Sequence, residues 1–303
     1  MDGYITHSIS ESASENPFGP IHVVQPSDEH THTAVLLHGR GSAGEEFADE
    51  LFESALSSGK NLQDQFPQWR WVFPSSPVEW NATFQENMSS WFEAQSLTDP
   101  TIRQDLQIAG IKTSATHICH ILEDEIQQLN GKSEKLVLGG ISQGGAVAIW
   151  SLLYRKRSQS ERLGGFVGAN TWLPFATSIQ DILTRNGSPD LGNSTSPTRS
   201  DHDPFLETIL EPLKSELQHT NGRFLQTPIL MGHGIDDAYV DVELGREASH
   251  VLASIGFKVE WRDYIGAEQE GHWLKIPEQL DDIAVFLARL SVEAHTISAP
   301  ASH

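Results

Sequence analysis

Thiols are almost missing from this chain. Cys119 is the single cysteine, which excludes an intramolecular disulfide and argues against a thiolate metal site or an oxidising compartment. It falls in a helical pattern beside Ile118 and Leu122 and reads as a buried structural thiol, since a free cysteine packs as a small hydrophobe. Positive charge is scarce as well: 20 Lys and Arg stand against 41 Asp and Glu, a formal net charge of -21. A surface so acidic repels phosphate backbones and anionic bilayers, so neither nucleic acid nor stable membrane insertion is expected. No segment approaches the ~20 apolar residues of a membrane span. The opening MDGYITHSISESASENPFGP has neither a basic region nor an apolar run, so it does not read as a signal peptide. The expected location is the cytoplasm, where the sequons at Asn81, Asn87 and Asn193 are chance matches.

What is present is the grammar of an α/β domain. With 303 residues, 38% of them hydrophobic, the chain can bury a sizeable core. Candidate strands run over Thr33–Leu37, Arg70–Phe73, Lys135–Gly139, Gly165–Gly168, Pro228–Met231 and Phe257–Tyr264. Runs such as AVLL and KLVLG are apolar on both faces, as in central strands of a parallel sheet covered by helices. Between them lie amphipathic patterns: Ile118, Ile121, Leu122, Ile126 and Leu129 share one helical face, as do Leu244, Ala248, Val251, Leu252 and Ile255, with Gly256 placed to end that helix. One doubly wound domain over 19–292 is expected, with flexible ends at 1–18 and 293–303. An insertion of about 178–226, rich in Ser, Gly, Asn, Asp and Pro and then amphipathic in FLETILEPLKSEL, separates the fourth and fifth core strands and is expected to act either as a lid or rim over the acyl pocket or as a surface decoration packed on the domain's flank. His202, between two aspartates there, reads as a solvated loop residue rather than a metal ligand.

The stretch LLHGRGSAGEEF, Leu36–Phe47, offers a tempting reading. GRGSAG fits the G-x-G-x-x-G loop of dinucleotide-binding folds, and it has a strand before it and a helix start after it. The next strand, however, ends in RWVFPSSP and lacks the acidic residue that such a fold uses to hold a ribose.

The chemistry surfaces at KLVLGGISQGGAVAIWSLLYRK. Gly140-Ile141-Ser142-Gln143-Gly144 is a G-x-S-x-G motif with a strand before it and an apolar helix after it. A sharp turn at the end of a parallel strand lifts the serine hydroxyl above the sheet, and a Cβ at either glycine would collide in so tight a turn. Ser142 is the candidate nucleophile, with the positive end of the helix beneath any oxyanion that forms. A serine hydroxyl needs a base and an orienting carboxylate, which in this fold follow in the order acid, then His. The loop GHGIDDAYVD offers Asp236, Asp237 and Asp241. Of the later histidines, His250 falls within a helical pattern and His295 and His303 near the tail, which leaves His272 in EQEGHWLKIP as the base.

With these parts in place the sequence resembles the acyl-protein thioesterase and phospholipase/carboxylesterase family of α/β-hydrolases. The resemblance rests on LLHGRGSAG, VFPSSPVEW followed by SSWFEAQ, LGGISQGGAVA, GANTWLPF, HGIDDAYV and GHW, and spans about Pro20–Leu290 apart from the insertion. It implies Ser142 and His272 as nucleophile and base, and Asp237 as the acid, four residues after His233 in an H-G-x-x-D-x-x-V pattern. It further implies an oxyanion hole from the amides of Arg40 and Gln143, a site faced by Trp91 and Phe92, and no cofactor or metal. The implied substrates are acyl esters or thioesters, S-acylated proteins among them. Of the other aromatic residues, Trp80, Trp172 and Phe175 fit either an acyl pocket or the core.

Departures from the family pattern touch the substrate rather than the chemistry. Arg40 stands where animal thioesterases commonly carry leucine; its side chain is expected either to read an anionic substrate group or to pair with Glu45, Glu46 or Glu93. Glu93 lengthens the acid of the W-F-D motif. A second class, a catalytically silent hydrolase-fold binding protein, would show a damaged triad, whereas every member is in place here.

Overall fold

A computed structural model describes residues 16–81, 85–96, 99, 102–155, 162–185 and 223–297. The expected amphipathic helix at 205–217, most of the insertion, His202, and the chain ends 1–15 and 298–303 lie outside the described residues.

Seven strands form one sheet in the order β1-β3-β2-β6-β7-β8-β9. They are β1 (His22–Val24), β2 (His32–Leu37), β3 (Trp69–Phe73), β6 (Leu136–Ile141), β7 (Gly165–Ala169), β8 (Ile229–Gly234) and β9 (Val259–Tyr264). The six strands read from the sequence are all there and run parallel. The seventh, β1, pairs antiparallel with β3 at the edge. It is three residues long and only half-buried, too short for an alternating pattern to mark it. A separate hairpin of β4 (Val78–Asn81) and β5 (Glu86–Ser89) stands apart from this sheet.

Burial explains the central runs. Every residue of β6 and β7 is buried, and alternate side chains feed two cores. On one face Val35, Leu37, Leu136, Leu138 and Phe166 pack with helices α3 (Gln104–Gln128), α4 (Ser142–Tyr154) and α6 (Val242–Ile255). On the other, Ala34, Val137 and Val167 meet α1 (Gly44–Glu53) and α7 (Glu278–Ile297). Two short helices, α2 (Leu62–Gln65) and α5 (Ala176–Arg185), complete the described set. Asp241 caps α6 by accepting from the Glu243 amide at 2.9 Å, and Gly256 ends it at φ 115°, the left-handed geometry expected of that glycine. Cys119 is buried on α3 beside the Ser151 carbonyl, and burial pushes its thiol up to about 12, leaving it inert as a nucleophile.

Strand order also places the site. From β2 the chain moves outward to β3, then returns to the other side of β2 as β6, so the order reverses between β2 and β6. In open parallel sheets the crevice beyond the carboxyl ends at such a reversal is where ligands bind. The two strands end in register, Leu37 opposite Gly140, one residue short of the Gly39 loop and the Ser142 turn. Among the described residues no helix is long and apolar enough to cross a membrane.

Candidate active site

Ser142 sits at the hinge between β6 and α4 with φ 53°, in the left-handed region a side-chain-bearing residue rarely occupies. Its neighbours make that geometry the only fit. A Cβ on Gly144 would lie 2.2 Å from the His38 carbonyl oxygen, and one on Gly140 would lie 2.8 Å from the Gly144 backbone. Close passage of α4 against the β2 loop therefore needs glycine at both positions. The Ser142 carbonyl accepts a hydrogen bond from Thr171 Oγ1 at 2.7 Å, and the Gln143 amide belongs to the first turn of α4, whose N–H groups have no acceptor within the helix.

His272 arrives from the loop between β9 and α7. Its Nδ1 donates to Asp237 Oδ2 at 2.7 Å. The other carboxylate oxygen, Oδ1, accepts the amides of Tyr239 at 2.8 Å and Val240 at 2.9 Å. A second histidine, His233, lies 3.2 Å from Oδ2 through its Nε2. Burial alone would raise the Asp237 carboxyl; hydrogen bonds from His233 and His272, the charge His272 can carry and the Val240 amide outweigh it and hold the group well below the usual carboxylate range. Asp236 turns away, its Oδ2 accepting the Gly266 amide at 2.9 Å, and Asp241 is committed to the α6 cap. Of the three aspartates, only Asp237 reaches His272.

The loop after β2 presses against Ser142. A Cβ on Gly39 would approach Ser142 Cβ to 3.4 Å, so the Gly39–Arg40 backbone runs beside the hydroxyl-bearing residue. His38 fixes this loop from below: its Nε2 accepts the Ser76 amide at 3.0 Å, so the ring proton sits on Nδ1 and is donated to the Gly39 carbonyl at 2.6 Å. Burial drags the His38 imidazole down to about 4, against the opposing pull of the Gly39 carbonyl and Glu46. Arg40 extends along the wall formed by the hairpin and its continuation, donating from Nε to Met88 Sδ at 3.1 Å and from Nη1 to the Ala94 carbonyl at 3.4 Å.

Ser142, His272, Arg40 and Gln143 all border one cavity of about 640 Å³. Trp91 and Phe92, expected to face it, do not: both are buried in the core and neither lines the cavity. The reason is a side-chain clamp. Gln143 Oε1 accepts the Trp91 amide at 2.9 Å and Gln143 Nε2 donates to the Phe92 carbonyl at 2.7 Å. The Trp91 indole meanwhile donates to the His38 carbonyl at 2.9 Å. These two residues tie the wall to the oxyanion loop from behind, and the apolar surface comes instead from Phe47, Met88, Ala94, Trp172, Val240 and Trp273. Phe92 stands one layer back, its ring 6.2 Å from that of Trp172. Trp80 is largely exposed on the hairpin, and Phe175 is buried.

One residue that holds the site carries no catalytic signature in the sequence. Asn170, at φ 46° just beyond β7, donates from Nδ2 to the carbonyls of His272 (2.7 Å), Trp273 (3.0 Å) and Gly271 (3.3 Å), while its Oδ1 accepts the Gly234 amide at 3.2 Å. It ties the loop that carries His272 to the end of the strand that leads to Asp237. The only trace was its place in GANTW, directly after a buried strand.

The comparisons with known proteins agree with this architecture. The family model described as phospholipase/carboxylesterase matches residues 19–190, a span that holds Arg40, Ser142 and Gln143 but stops short of Asp237 and His272. Acyl-protein thioesterase 1 of Gibberella zeae is 26% identical over 271 residues, 88% of this chain and 94% of that protein. The Schizosaccharomyces pombe protein of the same name is 29% identical over 164 residues, 54% of this chain and 66% of its own. Among solved structures, Zea mays acyl-protein thioesterase 2 superposes with a TM-score of 0.60 at 23% identity, covering 90% of this chain and 99% of that one. Esterase PE8 gives 0.59 at 19% identity, with 89% and 97% covered. At such identities the superpositions speak for the fold, that of the α/β-hydrolases, and the matched family model speaks for kinship: the chain belongs to the phospholipase/carboxylesterase family.

Proposed function

We propose that this hydrolase cleaves acyl esters and thioesters through an acyl-enzyme on Ser142, with S-acylated protein as its substrate class and the cytoplasm as its place of action. The observation that carries the reading is the 2.7 Å bond from His272 Nδ1 to Asp237, at a cavity that Ser142 also lines. The names of the relatives, acyl-protein thioesterases, favour a thioester on a protein, and the apolar wall favours an aliphatic acyl chain over a polar one.

In the first step the Ser142 hydroxyl attacks the substrate carbonyl carbon, forming the Oγ–C bond while its proton passes to His272 Nε2. Asp237, charged throughout, holds the ring in the tautomer with Nε2 bare and stabilises the imidazolium that results. The oxyanion lies between the amides of Arg40 and Gln143. Collapse breaks the bond to the leaving sulfur or oxygen, which takes the proton from His272. A water then gives its proton to His272, adds to the acyl carbon, and the second collapse returns Ser142 and the free acid.

Fluorophosphonate labelling followed by hydrolysis of acyl thioesters and p-nitrophenyl esters of increasing chain length tests this reading. We expect stoichiometric labelling on Ser142 and turnover of long-chain acyl thioesters. Labelling that persists in Ser142→Ala would overturn the nucleophile. Turnover confined to short esters would replace the protein thioester with a small-ester substrate.

A further inference from the structure

The reaction as derived uses one histidine on Asp237, yet the structure supplies two. His233 is the penultimate residue of β8, four residues before Asp237, and its ring is 1% exposed. Its Nε2 lies 3.0 Å from the Val240 carbonyl and 3.2 Å from Asp237 Oδ2. A carbonyl only accepts, so Nε2 must carry the proton; its N–H bonds the Val240 carbonyl, and Asp237 Oδ2 lies 3.2 Å from the same nitrogen. His272 reaches the same oxygen, Oδ2, from the opposite partner loop.

The other nitrogen of His233 is anomalous. Nδ1 is buried with no hydrogen-bond partner, and the backbone of α6 passes so close that a Cβ on Gly245 would lie 2.4 Å from it. Trp261 covers the ring, centroid to centroid 6.3 Å. A buried polar atom without a partner carries a cost, and a methionine or leucine packed there would avoid it. What the histidine gives in return is a donor at Nε2. The arrangement thus holds one N–H between the Val240 carbonyl and the Asp237 carboxylate, which packing alone would not need.

The geometry points to His233 as a positioning residue for the hydrolysis: it donates to Asp237 Oδ2 and fixes the carboxylate in the plane His272 needs, while the Val240 carbonyl fixes His233 in turn. The inference rests on the proposed role of Ser142, His272 and Asp237. Because Oδ1 is already held by two backbone amides, donation at Oδ2 leaves the carboxylate no rotational freedom, and it shares the charge that His272 draws on. His233 itself does not line the cavity, so it touches neither substrate nor nucleophile.

The test compares His233→Met with His233→Gln, side chains of equal length of which only Gln can donate near the Nε2 position. Active sites are counted by fluorophosphonate labelled to completion, so that kcat is expressed per competent site. Met should lower kcat about 10- to 100-fold, by analogy with partners that orient metal ligands, with KM unchanged. Gln should recover most of that loss. Equal losses in Met and Gln, or a lower count of sites with normal kcat per site, would mean His233 is only packing and would overturn the proposal. One measurement needs no variant: the nitrogen-15 spectrum of the wild-type imidazoles must show His233 protonated at Nε2 and bare at Nδ1, and the opposite tautomer sinks the idea. If wild-type enzyme labels at a residue other than Ser142, the parent reading fails instead, and the two failures remain distinct.

Discussion

The two halves of the site are held by different means. The nucleophile half, β6 and α4 with the β2 loop against them, is buried throughout and fixed by backbone contacts so close that Gly140 and Gly144 admit no side chain. The base half is a loop exposed over 268–270 and buried at Gly271 and Trp273, with positive φ at Gly266, Gln269, Glu270 and Gly271. It is held by the Asn170 side chain, more than a hundred residues away in sequence. Backbone sterics make the first half rigid whatever the solvent does. The second half depends on a few hydrogen bonds and is where evolution or mutation can adjust the base without disturbing the sheet.

The comparison breaks most completely at Ser142. Ser142→Ala should abolish hydrolysis, a loss on the order of 10⁵-fold or more by analogy with other serine hydrolases, with an unchanged melting temperature, since alanine tolerates the left-handed turn no worse than serine. Residual turnover near the wild-type rate would place the nucleophile elsewhere. In the base half the largest effect belongs to Asp237→Asn, which should cost about 10⁴ in kcat. Asp236→Asn, which loses only a bond to the Gly266 amide, should stay within a few-fold of wild type. Comparable losses at both would show that the carboxylate paired with His272 in solution is not the one seen here.

Acid should separate the halves by pH. His38, beneath the oxyanion loop, has a folded value of about 4, below that of an unfolded histidine. The stability it contributes is complete above about pH 6.5 and drains away as pH falls toward 4, in total about 3 kcal/mol. Asp237 is also depressed, but its contribution is present above the unfolded carboxylate value of about 3.9 and is lost only below it. Urea midpoints at pH 7 and pH 4.5 should therefore fall less in His38→Gln than in wild type. An equal fall in both would remove His38 from the account.

Asn170→Leu should be milder and confined to the base half. Removing the amide strands three carbonyls of the His272 loop and the Gly234 amide, so kcat should drop about 10- to 100-fold while fluorophosphonate still titrates one site per chain. Hydrogen exchange should rise over 266–273 and stay slow in β6 and α4. Faster exchange in both halves would mean Asn170 braces the whole sheet.

The same contrast explains what could be read from the sequence. The strands β2, β6, β7 and β8 and the Ser142 turn follow from runs apolar on both faces and from glycine spacing, signals that lie within a dozen consecutive residues. Asp237 needed a pattern as well as its neighbourhood, because Asp236 and Asp241 are equally polar and equally close. Trp91 and Phe92 were misplaced because nothing local reports that Gln143, some fifty residues on, pulls their backbone into the core with its side-chain amide. Asn170 and His233 lie within motifs quoted from the sequence, but their contacts were invisible for the same reason: each acts through partners whose proximity exists only once the sheet has formed. The β4–β5 hairpin is short and exposed: Val78 and Trp80 alternate with polar residues, but four residues are too few to announce a strand, and ENMS in β5 carries no such pattern.

Arg40 joins the two kinds of region, since its backbone belongs to the rigid half and its side chain to the wall of the cavity. Its bonds to Met88 Sδ and the Ala94 carbonyl lie along that wall, one to a weak acceptor and one at a long 3.4 Å. Burial also disfavours its charge, drawing the guanidinium below its ordinary value. A side chain so placed braces the hairpin against the oxyanion loop rather than reading the substrate. Arg40→Leu keeps the amide and removes these bonds among its contacts, so kcat/KM should fall about two- to fivefold, the scale of a weak hydrogen bond or two, and by the same factor for a neutral and a negatively charged ester. A loss of tenfold or more confined to the charged ester would show that the guanidinium faces the substrate and that the wall holds without it.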